Sequence, residues 1–142
     1  MGCGEGWSSI GLALGHPRVT VDGYDVDPPS VTAAGRHASG AGVADRVRFT
    51  TTDAAEVGAG DYDVVAAFEC VHDMPDPVSV LRAMRAMVRT GGWVVVMDER
   101  TEERFTAPAT PVERMLYGWS LLCCLPDGLS HRPSAGTGTV MR

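Results

Sequence analysis

Hydrophobic positions along the chain change spacing repeatedly, from helical periods to short apolar runs, which predicts helices alternating with strands. Strands are predicted at 19–26, 46–50, 62–68 and 93–97. Helices are predicted at 7–14, 28–39 and 77–89. In the third helix Leu81, Met84 and Val88 fall on one face, and Thr90-Gly91-Gly92 ends it.

This order of elements favours an α/β fold with a mostly parallel sheet, doubly wound by helices on both faces. The runs at 62–68 and 93–97 are apolar apart from Asp63, as expected of strands that are buried on both faces. In such folds ligands bind beyond the carboxyl ends of the strands. The residues that follow each predicted strand are therefore the candidates for a site.

Length and charge narrow the class of protein. The chain has 142 residues and a formal net charge of −6, which indicates one small domain and argues against a nucleic-acid partner held by phosphate attraction. No apolar run approaches the ~20 residues that span a bilayer, so we expect no membrane partner. The spacing of the four cysteines matches neither a zinc site nor a disulfide framework. We therefore expect reduced thiols, no metal and a cytoplasmic location.

The chain opens on a glycine turn, Gly2-Cys3-Gly4-Glu5-Gly6, with a predicted helix directly after it. Glycines let the backbone approach a ligand closely, and the free N–H groups of the helix point at the turn. A dinucleotide fingerprint would place its third glycine where Trp7 stands. The turn therefore favours a ligand without a diphosphate, and the alternative is a plain tight turn.

Acidic residues follow the next two predicted strands. Asp25, with Val26 after it, lies about 20 residues beyond the turn, where a carboxylate accepts hydrogen bonds from ribose hydroxyls. The alternative is that only Asp27 matters, as a helix cap. Asp53-Ala54 is placed to frame an adenine ring, and the alternative is a solvated loop acid.

Glu69 and His72 follow the 62–68 strand. His72 is the candidate general base, because the ordinary pKa of histidine lies near neutrality. The alternative is that its ring packs over a ligand or caps the loop, and the sequence fixes no partner for it.

Five segments together resemble the class I S-adenosylmethionine-dependent methyltransferases. They are Gly2 through Gly6, Gly23-Tyr24-Asp25-Val26-Asp27, Thr52-Asp53-Ala54, Tyr62 through His72, and Leu81 through Val96, in the family's order over about residues 1–98. The resemblance implies S-adenosylmethionine as cofactor, with the glycines around its methionine portion. It also implies that Asp25 holds the ribose, that Asp53 with Ala54 frames the adenine, and that Glu69 lies at the methionine end.

The resemblance further implies a Rossmann-like core at 1–98 that is incomplete. Its first strand and last two strands are missing, since Met1 occupies the last position of the first strand. We therefore expect a gap in the sheet where that strand belongs. We expect residues 99–142 to form a second unit, a helical insert that covers the substrate and then a C-terminal loop. Within it 113–125 is apolar nearly all round, which predicts a buried helix or a homodimer contact.

The expected function is methyl transfer to a small-molecule acceptor. One alternative is a non-catalytic module that binds the cofactor or a partner and keeps only the fold. The other is an NAD(P)-dependent oxidoreductase, against which Trp7 argues. The acceptor atom stays open.

Overall fold

A computed structural model of the chain describes residues 1–139. The strands are β1 (Val21–Asp25), β2 (Val47–Thr51), β3 (Tyr62–Phe68) and β4 (Val88–Met97). The helices are α1 (Trp7–Gly15), α2 (Pro28–Gly40), α3 (Pro77–Met87), α4 (Pro111–Trp119) and α5 (Leu125–Ser130), with single turns at Ala54–Glu56 and Val71–Asp73. A π-helical stretch, Ser120–Cys124, joins α4 to α5. This order confirms the predicted alternation of helices and strands.

Two helices begin where the sequence predicts, at an aspartate followed by proline. The Asp27 carboxylate accepts a hydrogen bond from the Ser30 N–H at 2.9 Å, and Asp76 does the same for Ser79 at 3.0 Å. Each bond satisfies an N–H group that the first helical turn leaves unpaired, while proline lacks that group altogether. Local chemistry therefore fixes the start of α2 and α3.

The strands form two separate parallel pairs, β1 with β2 and β3 with β4. A cleft of about 710 Å³ lies between the facing edges of β1 and β3. The Tyr62 hydroxyl bridges it, since it donates to Asp22 at 2.9 Å and lies 2.9 Å from the Tyr24 hydroxyl. The expected α/β fold with an interrupted parallel sheet is confirmed.

Each strand pair has its own hydrophobic core. Ile10, Ala13, Ala38, Val43 and Val47 pack α1 and α2 against the first pair. The second core is larger and joins α3 to the second pair; it contains Ala54, Val65, Ala67, Val71, Val80, Met84, Met87 and Val88. Both cores place the carboxyl ends of the strands at the edge where the candidate residues lie.

The predicted end of α3 is wrong. Val88 lies at helical spacing from Met84, but it is the first residue of β4 and pairs with Tyr62. The pairing shifts register between Tyr62 and Val64, which lets one strand run through Gly91 and Gly92. Strand pairing therefore outweighs the helical period at this residue.

Three predictions of burial are also wrong. Val64 in β3 is 52% exposed, although the strand at 62–68 was expected to be buried on both faces. Trp93 is 71% exposed and Met97 52%, although the run at 93–97 is wholly apolar. In the 113–125 segment, Leu121 is 68% exposed and Leu122 76%. These side chains have no packing layer over them in the described chain. Within residues 1–139, no helix is long and apolar enough to cross a membrane.

Candidate functional site

The glycine turn has the left-handed backbone that its sequence predicts. Gly2, Gly4 and Gly6 have φ values of +58°, +49° and +84°. A Cβ atom on Gly2 would meet Cys70 Sγ at 2.7 Å, and one on Gly6 would meet Phe49 at 2.5 Å. A Cβ atom on Gly4 would meet nothing within 4 Å. Packing therefore explains two of the three glycines, and only Gly4 faces open space.

Asp25 ends β1 directly beside this turn. Its Oδ2 accepts a hydrogen bond from the Gly4 N–H at 2.7 Å, and its Oδ1 accepts one from the Asp27 N–H at 3.1 Å. The carboxylate is half-buried, and each oxygen keeps a lone pair for a further donor. The structure thus brings together Gly4 and Asp25. The side chain of the next residue, Val26, is 56% exposed.

The loop with Asp53 and Ala54 is anchored to the same strand end. The Thr52 N–H donates to the Asp25 carbonyl at 2.8 Å. The Asp53 carboxylate accepts from the Ala55 N–H at 2.8 Å and caps the short turn that follows. Ala54 is buried in the second core. Both residues therefore have a structural use, and their backbone lies next to that of Asp25.

Glu69 is the only residue other than glycine with a positive φ, +51°, among residues 1–139. Its N–H donates to the Met97 carbonyl at 2.8 Å, which extends the pairing of β3 and β4. Its side chain is exposed. Left-handed backbone at a residue with a Cβ costs about 1–2 kcal/mol, and such strain gathers at functional sites.

His72 is buried, with 6% exposure, in a polar cluster at the ends of β3 and β4. Its Nδ1 pairs with Asp98 Oδ1, and its Nε2 lies 3.2 Å from Asp73 Oδ1. The N–H groups of Val71 and His72 also donate to Asp98 Oδ2, at 3.1 and 3.3 Å. Burial lowers the pKa of His72, but the Asp98 hydrogen bond and neighbouring carboxylate charges outweigh it and raise the pKa above its usual value.

The C-terminal segment closes over this cluster. The Thr139 hydroxyl donates to the Glu99 carboxylate, and the Thr139 N–H donates to Ser120 Oγ at 2.9 Å. Cys124, in the π-helical stretch, lies beside Asp73. π-Helical turns inside helices are frequently found at functional sites.

Cys70 lies between the glycine turn and the His72 cluster. Its thiol donates to the Met1 carbonyl at 3.4 Å. Burial raises the pKa of this thiol to about 11, and the negative charges of Asp98 and Asp25 add to the rise. The two groups of candidate residues are therefore neighbours along one edge.

Asp98, Glu99 and Cys124 are site residues that the sequence did not single out. Asp98 directly follows β4, and the rule that selected Asp25 and Glu69, a polar residue at or just after the end of a strand, would have selected it too. Cys124 carries no such signal, because its position depends on how the 111–130 segment folds back.

Comparison with known proteins gives the family. Residues 1–94 match the family model described as "Methyltransferase domain". The chain is 38% identical over 97 residues to the ubiquinone biosynthesis O-methyltransferase of Bordetella pertussis, which is 66% of this chain and 39% of that protein. For the protein of the same name from Marinobacter nauticus the identity is 37% over 101 residues, 68% of this chain and 41% of that protein. The chain thus spans about two fifths of these relatives.

Solved structures agree on the fold. An O-methyltransferase family protein from Burkholderia thailandensis superposes with a TM-score of 0.74 at 21% identity, over 89% of this chain and 38% of that one. The mitomycin 7-O-methyltransferase MmcR superposes with a TM-score of 0.66 at 25% identity, over 75% of this chain and 32% of that one. The chain belongs to the methyltransferase domain family, with the Rossmann-like fold of the class I S-adenosylmethionine-dependent methyltransferases.

Proposed function

We propose that this chain binds S-adenosylmethionine and forms part of an enzyme that transfers its methyl group to a small-molecule acceptor. One observation carries the proposal. The Asp25 carboxylate is held against the glycine turn by the Gly4 N–H, and the space in front of Gly4 is open. A half-buried carboxylate with free lone pairs can accept hydrogen bonds from a ribose, and the open backbone turn beside it leaves room for the methionine portion of the cofactor.

The remaining site residues fit the same cofactor. When bound, the cofactor would supply a methyl group on a positively charged sulfur, and the carboxylates at this edge, Asp25 and Glu69, would favour that charge. Gly2 and Gly6 hold the turn in shape by close packing. Asp53 and Ala54 lie where the loop after β2 meets β1, and we propose that their backbone frames the adenine. Val26 completes the ribose side.

We divide the chain into a cofactor-binding part, 1–98, and a covering part, 99–142, of which the last three residues lie outside the described range. The Ala135 N–H donates to the Pro75 carbonyl at 2.7 Å, and Cys124 lies beside Asp73, and these contacts between the two parts support a covering role for the second part. The relatives named above are O-methyltransferases, so we propose a hydroxyl group as the acceptor.

His72, at the strand end next to the glycine turn, is the candidate catalytic base. Both of its ring nitrogens face carboxylate oxygens, those of Asp98 and Asp73. One of these contacts would have to open before the ring could take a proton from an acceptor.

Titration calorimetry with S-adenosylhomocysteine and, separately, with NADH tests the choice of cofactor. We expect one saturable site for S-adenosylhomocysteine and none for NADH; the reverse result would favour an oxidoreductase. Transfer of a radiolabelled methyl group to a panel of phenols and alcohols then tests the reaction. Cofactor binding without transfer to any acceptor would support the non-catalytic alternative.

We also propose a homodimer through 113–125, because Trp119, Leu121 and Leu122 are all more than half exposed there. Sedimentation velocity tests it: Leu122→Glu should give a monomer, with Leu14→Glu, on α1, as the matched control. A wild-type monomer would contradict the dimer. A cytoplasmic location is part of the same proposal, and the four free cysteines support it.

A further inference from the structure

The cleft between β1 and β3 is bounded by one backbone edge of each strand. At its carboxyl end the Met1 amino group donates to the Ala66 carbonyl of β3 at 2.9 Å, and the Cys3 N–H donates to the Tyr24 carbonyl of β1 at 3.0 Å. Residues two apart in a strand point their backbone groups to the same side. The strand residues whose backbones face the cleft are therefore Asp22, Tyr24, Val64 and Ala66.

Six backbone groups of these four residues have no hydrogen-bond partner among residues 1–139. They are all four N–H groups and the carbonyls of Asp22 and Val64. The Tyr62 hydroxyl bridge does not use them, because side chains stand perpendicular to a sheet whereas its backbone groups lie in the plane. Strand edges with unpaired backbone groups are templates for another strand.

One extended segment between the two edges would pair all six groups. In a parallel ladder a residue donates to one carbonyl of the neighbouring strand and accepts from the N–H two residues further on. A residue that faces β3 would thus bond to the Val64 carbonyl and the Ala66 N–H, and the next one to the Asp22 carbonyl and the Tyr24 N–H. Two preceding residues would accept from the N–H groups of Val64 and Asp22. Four residues, about 13 Å of extended chain, are therefore enough.

We propose that this cleft binds a separate peptide in extended form, parallel to β1 and β3, with apolar side chains and a free carboxylate at its C-terminus. Backbone hydrogen bonds would supply most of the affinity, as in other peptides that add a strand to a sheet. Leu12, Val21 and Val64 line the cleft and suit apolar side chains. This inference does not depend on methyl transfer.

The carboxylate of the peptide would meet the Met1 amino group at the carboxyl end of the cleft. This amino group donates one hydrogen bond, to Ala66, and forms no ion pair with a carboxylate within the described part of the chain. Burial lowers its pKa, and a carboxylate beside it would offset that effect.

The charges at the opposite end of the cleft agree with the same direction. Asp22, Asp61 and Asp63 line this end together with Arg18, and Arg89 pairs with Asp63. Three negative charges against two positive ones leave an excess that suits the positive amino terminus of a peptide. A parallel peptide would therefore have a favourable charge contact at each end.

Amide hydrogen exchange of the 142-residue protein tests the site with a synthetic pentapeptide, Lys-Ile-Val-Val-Ile, that has a free carboxylate. We expect one equivalent to bind and to slow exchange at the four N–H groups that face the cleft, those of Asp22, Tyr24, Val64 and Ala66. Gly23 and Val65 are the internal controls, because they lie in the same strands but face β2 and β4. Their exchange should be slow with and without the peptide.

Two altered peptides are matched controls that leave the protein unchanged. A C-terminal amide removes the carboxylate, and methylation of the central nitrogen removes one backbone donor. Each should bind at least about tenfold more weakly, since each loses a hydrogen bond or a charge contact at a desolvated position.

A pentapeptide that does not bind at about 1 mM would overturn the proposal, as would one that binds but leaves exchange at the four cleft-facing N–H groups unchanged. Equal affinity for either altered peptide would also contradict it, because the carboxylate or the backbone pairing would then play no part. Slow exchange at these groups without peptide, lost on dilution of the protein, would assign the cleft to a second copy of the chain instead.

Discussion

Substitution of the glycines at positions 4 and 6 by alanine separates a binding role from a packing role within one turn. Both residues have positive φ, so alanine costs about 1–2 kcal/mol of backbone strain at either position. At Gly6 the new Cβ would also lie 2.5 Å from Phe49 Cζ and 2.9 Å from Ala34 Cβ. The Phe49 ring can shift, but Ala34 is fixed to the backbone of α2, so overpacking adds about 1–3 kcal/mol.

Gly6→Ala should therefore lower the free energy of unfolding by about 2–5 kcal/mol, and Gly4→Ala by about 1–2 kcal/mol. Urea unfolding followed by far-ultraviolet circular dichroism measures both values. The order should reverse for ligand affinity, because a methyl group on Gly4 enters open space that we assign to the cofactor. S-adenosylhomocysteine should bind Gly4→Ala weakly and the folded fraction of Gly6→Ala nearly as well as wild type.

Equal losses of stability in the two variants would show that close packing around Gly6 adds no cost to the substitution by alanine. Wild-type affinity in Gly4→Ala would remove the cofactor from the space in front of that residue. The two readouts are independent, so either part of the reasoning can be refuted without the other.

Three further predictions concern single residues. The Ser79 hydroxyl and N–H hold the pKa of Asp76 below its usual value of 3.8. The stabilisation that Asp76 gives is therefore complete above that pH and is lost as the pH falls further. In acid thermal melts Asp76→Asn should flatten this dependence, and an unchanged dependence would contradict the prediction. Glu69→Gly should relieve the left-handed strain at φ +51° and leave the free energy of unfolding undiminished, while the affinity for S-adenosylhomocysteine falls. The control is Glu56→Gly, in a right-handed turn. A loss of stability in Glu69→Gly as large as in this control would contradict the prediction. Tyr62→Phe removes the hydroxyl that bridges the cleft to Asp22 and Tyr24 and should lower the urea unfolding free energy by about 1 kcal/mol per hydrogen bond lost; no change would mean that the bridge contributes nothing to stability.

The sequence predicted those parts of the fold that local chemistry determines. The two Asp-Pro starts, the glycine turn and β3 at 62–68 all depend on residues within a few positions of each other, and all are confirmed. Val88 was misassigned because its helical spacing competes with pairing to Tyr62, which a one-dimensional pattern does not contain.

The burial of a side chain and the contacts between site residues depend on distant parts of the chain. The predictions of burial were wrong at several residues, and the contacts were not predicted. An apolar run indicates that Trp93 or Leu122 favours apolar surroundings. The side chain is buried, however, only where another part of the chain packs over it. The sequence did not identify the hydrogen-bond partner of His72, because Asp98 follows a different strand. The candidate cofactor residues could be selected from the sequence, because parallel strands bring their carboxyl ends to one edge. Their roles stay predictions.

The affinity of S-adenosylhomocysteine for Asp25→Asn, compared with Asp27→Asn, tests the central claim most directly. Asparagine preserves the cap at position 27, so that variant controls for the loss of one negative charge two residues away. Loss of a charge-assisted hydrogen bond costs about 1.5–3 kcal/mol, which is roughly a 10- to 150-fold weaker Kd at about 1.4 kcal/mol per tenfold change. We predict a loss in this range for Asp25→Asn and wild-type affinity for Asp27→Asn; equal affinity in both variants would contradict the assignment of the nucleoside to this edge.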